Sequence, residues 1–305
     1  MSNVSRGGQA TSSGDGTLSC NVSCLVGSIS RIRVRVHVLL PIVWLLQAAV
    51  GLLQSLQYGL LLLLLWGPVL WSTVLLHELC HCWMARRVGA EAHEILLWPL
   101  GGLAYIGAPP TPQADLKVAA AGPASHVPLV LLFLALWLAF TPVSLFVAEL
   151  CWLALWMNVS LALFNMLLPC WPLDGGRIFV DMLLIRGYSV PVAAKAMVFT
   201  SVPLVVAISA YGIFALLHGH FNGTFTLFVG IWLGMQTYQL HLLVQQSSAH
   251  LHPLFARAAL LVLSPAQQQP QMGTPVVWAR TSDVQIVQGV PIQRGIDAPV
   301  AVQRA

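Results

Sequence analysis

The chain has 305 residues, 57% of them hydrophobic and only 8% charged, with a formal net charge of +4. A soluble globular domain carries about 25% charged residues, so this composition, with a mean hydropathy of +0.79, excludes that class. An all-α polytopic membrane protein is expected, long enough for one such domain and its tails.

Residues 1–28 are rich in Ser, Gly, Thr and Asn and read as a disordered tail. From Ser30 to Val38 the chain alternates, with Arg31, Arg33 and Arg35 on one face and Ile32, Val34 and Val36 on the other. That period predicts a short strand with a basic face. The Arg cluster ahead of Val38–Leu46 has some likeness to a signal peptide, but the preceding tail is long and the next segment is also apolar. A retained first span is the expectation.

Six spans are expected, at Val36–Leu53, Gly59–Met84, Lys117–Phe140, Ser144–Leu168, Ser189–Leu217 and Thr224–Val244. Trp66-Gly67-Pro68 should kink the second. Between the second and third, Ile95–Ile106 is apolar, holds a Pro and a Gly-Gly pair, and is short for a span. It reads as an extended or re-entrant segment, either offering a strand edge to an unwound peptide or merely packing the second span. Residues 246–305 turn polar and Gln/Pro-rich and read as a flexible tail, leaving 29–245 as the membrane domain.

Basic residues fix an orientation. Arg31, Arg33 and Arg35 precede the first span, Arg86 and Arg87 follow the second, and Lys117 opens the third. Arg177 and Arg186 follow the fourth, Lys195 lies early in the fifth, and Arg257 follows the sixth. The alternate loops 54–58, 141–143 and 218–223 have neither Lys nor Arg. The positive-inside rule then places both termini in the cytoplasm.

His77-Glu78-Leu79-Cys80-His81 lies near the inner end of the second span. On a helix, H-E-x-x-H sets two imidazoles on one face, within reach of a single Zn²⁺, with the glutamate beside a metal-bound water. The plainer alternative is a helix end with two interfacial histidines and a solvated glutamate. A charge within a span costs about 2.5–3.5 kcal/mol on the milder scale, which that alternative leaves uncompensated. Six cysteines form no C-x-x-C pair. Ligation by Cys80 or Cys82 would require leaving the helical face that presents the two histidines.

A catalytic zinc needs a third protein ligand and an open position. Asp174, in Pro172-Leu173-Asp174-Gly175-Gly176, lies at the inner end of the fourth span. One span separates the second from the fourth, so His81 and Asp174 reach the same side of the bilayer. An ordinary turn with a helix-capping Asp is the alternative.

Together these segments resemble the site-2 protease family of intramembrane zinc metalloproteases. The resemblance rests on His77–His81, Trp98-Pro99-Leu100-Gly101-Gly102-Leu103-Ala104, Ala121-Gly122-Pro123, and Phe164-Asn165 leading to Pro172–Arg177. It covers about residues 30–245. It implies one Zn²⁺ per chain on His77, His81 and Asp174, with Glu78 as the catalytic base. The implied activity is a zinc endopeptidase that cuts membrane-protein substrates in or near their transmembrane segments. The expected partners are such a substrate and the lipid bilayer, not nucleic acid. No PDZ-like or CBS-like domain fits the polar remainder, so a minimal form is expected.

Two positions depart from the commoner family pattern. One extra residue separates Asn165 from Asp174, which turns Asn165 by about 100° on a helix. Asn158, one heptad earlier, shares its face and is a substitute, or both simply pack helices. His126 stands where many relatives have Asn, as a hydrogen-bonded interfacial His or a fourth metal contact. An inert membrane protein of the same fold, binding a partner or a metal, is the alternative function. A metal transporter would spread polar groups along several spans rather than gather them at one depth.

Overall fold

Alternation of Arg with β-branched residues makes a half-buried strand, and its partners come from both sides of the membrane segment that follows. The computed structural model describes residues 23–219, 222–255 and a short hairpin of Ile286–Val287 with Val290–Pro291. Strand β1 (Ser23–Ile29) pairs antiparallel with β2 (Ile32–His37), and β2 pairs parallel with β3 (Ala92–Trp98). Strand β3 turns back antiparallel into β4 (Gly101–Ile106), giving the order β1-β2-β3-β4. Residues 23–28, read from sequence as part of a disordered tail, are strand; the rest of that tail lies outside the described residues. Most of the expected 246–305 tail does too.

The sheet's inner face, Ile32, Val34, Ile95 and Leu97, packs on Leu79 and Cys82 of α3 (Leu70–Arg87). Its basic face is tied down as well: Arg33 pairs with Glu94 at 3.2 Å, and Arg35 donates to Ser23 Oγ and O at 3.1 Å. Cys82 therefore faces the sheet as a small apolar side chain.

The first expected span is shorter than its sequence suggested. Val36 and His37 stay in β2, and helix α1 (Leu39–Leu52) has 14 residues. At 1.5 Å per residue that is about 21 Å, against about 30 Å of bilayer hydrocarbon. It packs on α2 (Leu56–Leu64), with which it forms a helical hairpin. Among the described residues five helical runs are long and apolar enough to cross a membrane: Leu56–Arg87, Pro112–Phe140, Leu145–Leu167, Val190–Leu217 and Gly223–Gln245.

The run Leu56–Arg87 joins α2 to α3 through a π-helical turn, Leu65–Val69, that contains Pro68. Proline has no N–H to donate, and the wider turn accommodates it. Trp44 of α1 donates its indole N–H to Leu63 O at 2.7 Å, just before the turn. The expected distortion at Trp66-Gly67-Pro68 thus takes the form of a π turn.

The run Pro112–Phe140 comprises α4 (Pro112–Ala124) and α5 (His126–Phe140), broken at Ser125 after Pro123. Helix α6 (Leu145–Leu167) ends before a loop that leads into α7 (Asp174–Ile185), which was not anticipated from sequence. Helices α8 (Val190–Leu217) and α9 (Asn222–Gln245) pack on each other and close the chain's membrane part. Large apolar side chains such as Leu131, Leu138, Phe199 and Val206 remain exposed around the bundle, as a lipid-facing surface requires. Helix α4 touches α3, α6 and α7, and the candidate site lies among these four.

Candidate metal centre

Helix α3 sets His77 and His81 one turn apart, and both are buried. Their Nε2 atoms stand 3.0 Å apart. Asp174 approaches from the first turn of α7, with Oδ2 at 3.1 Å from His77 Nε2 and Oδ1 at 3.3 Å from His81 Nε2. Asp174 does not cap its helix: Leu173 occupies the cap position without a side-chain bond. The carboxylate points into the protein, toward the two imidazoles, and is buried there.

Each imidazole is anchored by its other nitrogen. His81 Nδ1 lies 2.7 Å from Val118 O on α4. A carbonyl only accepts, so Nδ1 carries the hydrogen and Nε2 is the nitrogen left for a metal. His77 Nδ1 lies 3.1 Å from His126 Nε2. The two Nε2 atoms and the carboxylate oxygens thus converge on one space, a donor set suited to a cation.

The spacing fits zinc. Nitrogen and oxygen ligands about 2.0–2.1 Å from a tetrahedral Zn²⁺ stand about 3.3–3.4 Å from one another. The three contacts here are 3.0, 3.1 and 3.3 Å, and the ligand atoms of all three residues lie within 4.8 Å of each other. Three ligands leave a tetrahedral ion one open position, as hydrolysis needs.

Gly122 explains how α4 comes so close. A Cβ there would overlap Nε2 of both His81 and His77. Gly102 plays the same part for β4, since a Cβ there would overlap the Glu78 side chain. Glu78 is buried between α3 and that strand. Arg177 of α7 pairs with Asp115 of α4 at 2.5 Å and ties together the two helices that face the imidazoles.

His77, His81 and Asp174 therefore come together, Glu78 is buried beside His77 on α3, and Asn165 does not join them; it is half-buried near the end of α6. Asn158 is fully buried and bonds His126 Nδ1 through Oδ1 at 3.0 Å. His126 is buried and hydrogen-bonded through both ring nitrogens. Gly102, Gly122 and the Asp115–Arg177 pair escaped sequence reasoning. The first two stand inside motifs that were recognised, but only geometry shows which atoms they admit.

The sequence profile of peptidase family M50 matches residues 68–148 and 142–210. The putative zinc metalloprotease Rip3 of Mycobacterium tuberculosis is 40% identical over 113 residues, covering 36% of this chain and 28% of that protein. Stage IV sporulation protein FB of Bacillus subtilis is 33% identical over 150 residues, 48% of this chain and 46% of that one. The fold matches the solved site-2 protease from Methanocaldococcus jannaschii with a TM-score of 0.51 at 23% identity, over 71% of this chain and 94% of that structure. The chain is thus similar to peptidase family M50 over residues 68–210 and shares the fold of the solved site-2 protease. It spans less than half the length of the two relatives just named. The matched region contains every residue of the candidate metal centre and ends within α8.

Proposed function

We infer that this chain is an intramembrane zinc metalloendopeptidase that hydrolyses peptide bonds in or near transmembrane segments of other membrane proteins. The observation that carries the reading is the buried triangle of His77, His81 and Asp174, with donor atoms at tetrahedral spacing and Glu78 next to the first ligand. The names of its relatives, zinc metalloproteases, agree with it.

His77, His81 and Asp174 would hold the ion, which supplies Lewis acidity and makes water a better nucleophile near neutral pH. Glu78 takes a proton from the attacking water and returns it to the leaving amine. Burial of the site keeps bulk water from competing with these charges. A substrate helix hides its scissile carbonyl in its own hydrogen bonds, so it must unwind first. Strand β4 is an edge of the sheet, and its Gly102 touches the Glu78 side chain. An unwound segment that adds to that edge would be led directly to the base.

The sheet also supports the orientation read from charge. Pairing of β2 with β3 ties the segment before α1 and the segment after α3 into one sheet, although α1 is short. We place that sheet, with both termini, on the cytoplasmic side.

The test compares membrane proteomes of cells carrying the wild type and Glu78→Gln. Transmembrane fragments should accumulate in the variant, because an amide keeps the shape but cannot act as base. Loss of the base is worth about 10²–10⁴ in rate. Identical proteomes, together with no cleavage by the purified wild type, would favour an inert binding protein instead.

A further inference from the structure

The two histidines of the metal centre are held from behind in different ways. His81 leans on a backbone carbonyl, Val118 O, which is fixed by helix α4. His77 leans on a side chain, His126 of α5, which leans in turn on Asn158 of α6. His126 and Asn158 are both buried, at 1% and 0% exposure.

The direction of each bond in this row follows from its far end. Asn158 Nδ2 donates to Ala154 O at 2.9 Å, which fixes the amide and leaves Oδ1 as the atom facing His126. Oδ1 only accepts, so His126 Nδ1 carries a hydrogen. In the neutral ring, His126 Nε2 is then a lone pair, and it faces His77 Nδ1 at 3.1 Å. His77 therefore donates from Nδ1, and its own Nε2 is left as a lone pair aimed at Asp174 and His81. Every donor in the row has one acceptor, and a single amide sets the tautomer of two imidazoles.

We propose that the buried row Asn158–His126 is a positioning device that fixes the tautomer and ring orientation of His77 as a zinc ligand. It rests on the reading of His77, His81 and Asp174 as a zinc centre. His126 is not a fourth ligand, because the nitrogen nearest the site is already occupied by His77 N–H. Groups that orient a metal-bound His typically alter metal affinity by about 10–100-fold when removed. Here the group removed is two residues deep, so the two positions should act as one unit.

Zinc affinity of the purified full-length protein, measured by competition with a chromogenic chelator, tests this without any proteolysis. The wild type sets the reference, and failure of the wild type to bind zinc would refute the metal-centre reading itself. His126→Phe, which removes the acceptor, should weaken zinc binding about 10–100-fold. His126→Gln can accept from His77 and donate to Asn158, and should recover most of that loss. Asn158→Leu should weaken binding in the wild-type background and add little in the His126→Phe background.

Wild-type zinc affinity in a folded His126→Phe protein would overturn the proposal. So would equal losses from His126→Phe and His126→Gln, or an Asn158→Leu effect of the same size in both backgrounds. If His126→Phe does not fold, the comparison of His126→Gln with Asn158→Leu decides: a loss in the first and none in the second would refute the row. A purely structural role would lower thermal stability of the metal-free protein without this pattern in zinc affinity.

Discussion

Gly102 of β4 touches the Glu78 carboxylate so closely that a methyl group on residue 102 would overlap Cγ, Cδ and Oε1. The strand edge and the proposed base are therefore one structural unit. Gly102→Ala must push Glu78 aside or move the strand. A displacement of about 1 Å can cost about 10²-fold in rate. Cleavage should fall by that order while zinc content is retained, because the atoms an added Cβ meets first belong to Glu78 and not to a metal ligand. Elemental analysis alongside a cleavage assay separates the two effects. Undiminished turnover in the Gly102→Ala protein would show that Glu78 is not confined by β4.

Gly122 of α4 stands against both histidine Nε2 atoms. Gly122→Ala should lower zinc occupancy, and with it activity, since the methyl group would fill the ligand triangle. Asp174→Ala should lower occupancy for a different reason, the loss of a ligand. Full retention of zinc by the Asp174→Ala protein, measured by elemental analysis, would rule out the ligand set.

Much of this site could be read from the chain because its parts announce themselves chemically. In an apolar sequence, His77, Glu78, His81 and Asp174 are costly unless they have a purpose, and span parity alone brings them to one depth. The parts that stayed hidden depend on contacts between distant residues. Strand β1 was missed because its Ser and Gly content reads as tail and its turn lacks an Asn-Gly pair. Ser30 and Arg31 both take positive φ there, 50° and 63°, and Arg86 donates to the Ser30 carbonyl from the end of α3. Nothing within residues 23–37 encodes that support. The first span was overlong in sequence because Val36 suits either a strand or a span, and pairing with β3 claims it for the sheet. Asn158 and His126 looked like separate polar residues, and only the packing of α5 on α6 joins them.

The proposed orientation can be tested without relying on the short first helix. On a cysteine-free background, single cysteines at His93, Asn222 and Gln268 should sort by side. His93 follows α3, Asn222 opens α9 just after the turn from α8, and Gln268 follows α9. His93→Cys and Gln268→Cys should label with an impermeant reagent applied from the cytoplasmic side, and Asn222→Cys only from the other. Labelling of Asn222→Cys and His93→Cys from the same side would break the arrangement of spans.

His252 gives the fold an expected sensitivity to acid. After α9 the chain turns back through the short 3₁₀ turn Ala249–Leu251, and His252 and Phe255 bury themselves beside Trp171. The His252 ring stacks edge-on against Trp171 at 5.4 Å between centroids, and its Nδ1 accepts from Leu254 N at 3.2 Å. Burial pushes its pKa down from 6.5 to about 4. The unfolded chain therefore binds a proton that the folded protein refuses between these values, and stability falls as pH drops from about 6.5 towards 4. Above 6.5 the ring is neutral in both states and contributes no pH dependence. The full span corresponds to about 3 kcal/mol. Other groups titrate in the same window, so the informative quantity is the difference between the wild type and His252→Phe. Thermal unfolding in detergent should show the wild type losing more stability than the variant between pH 6.5 and 4. The two curves should run parallel above pH 7. Parallel curves throughout would mean that His252 can be protonated in place. Trp171 sits three residues before Asp174, so the same acid step should loosen the loop that delivers the aspartate, and zinc should dissociate more slowly from His252→Phe than from the wild type at pH 5.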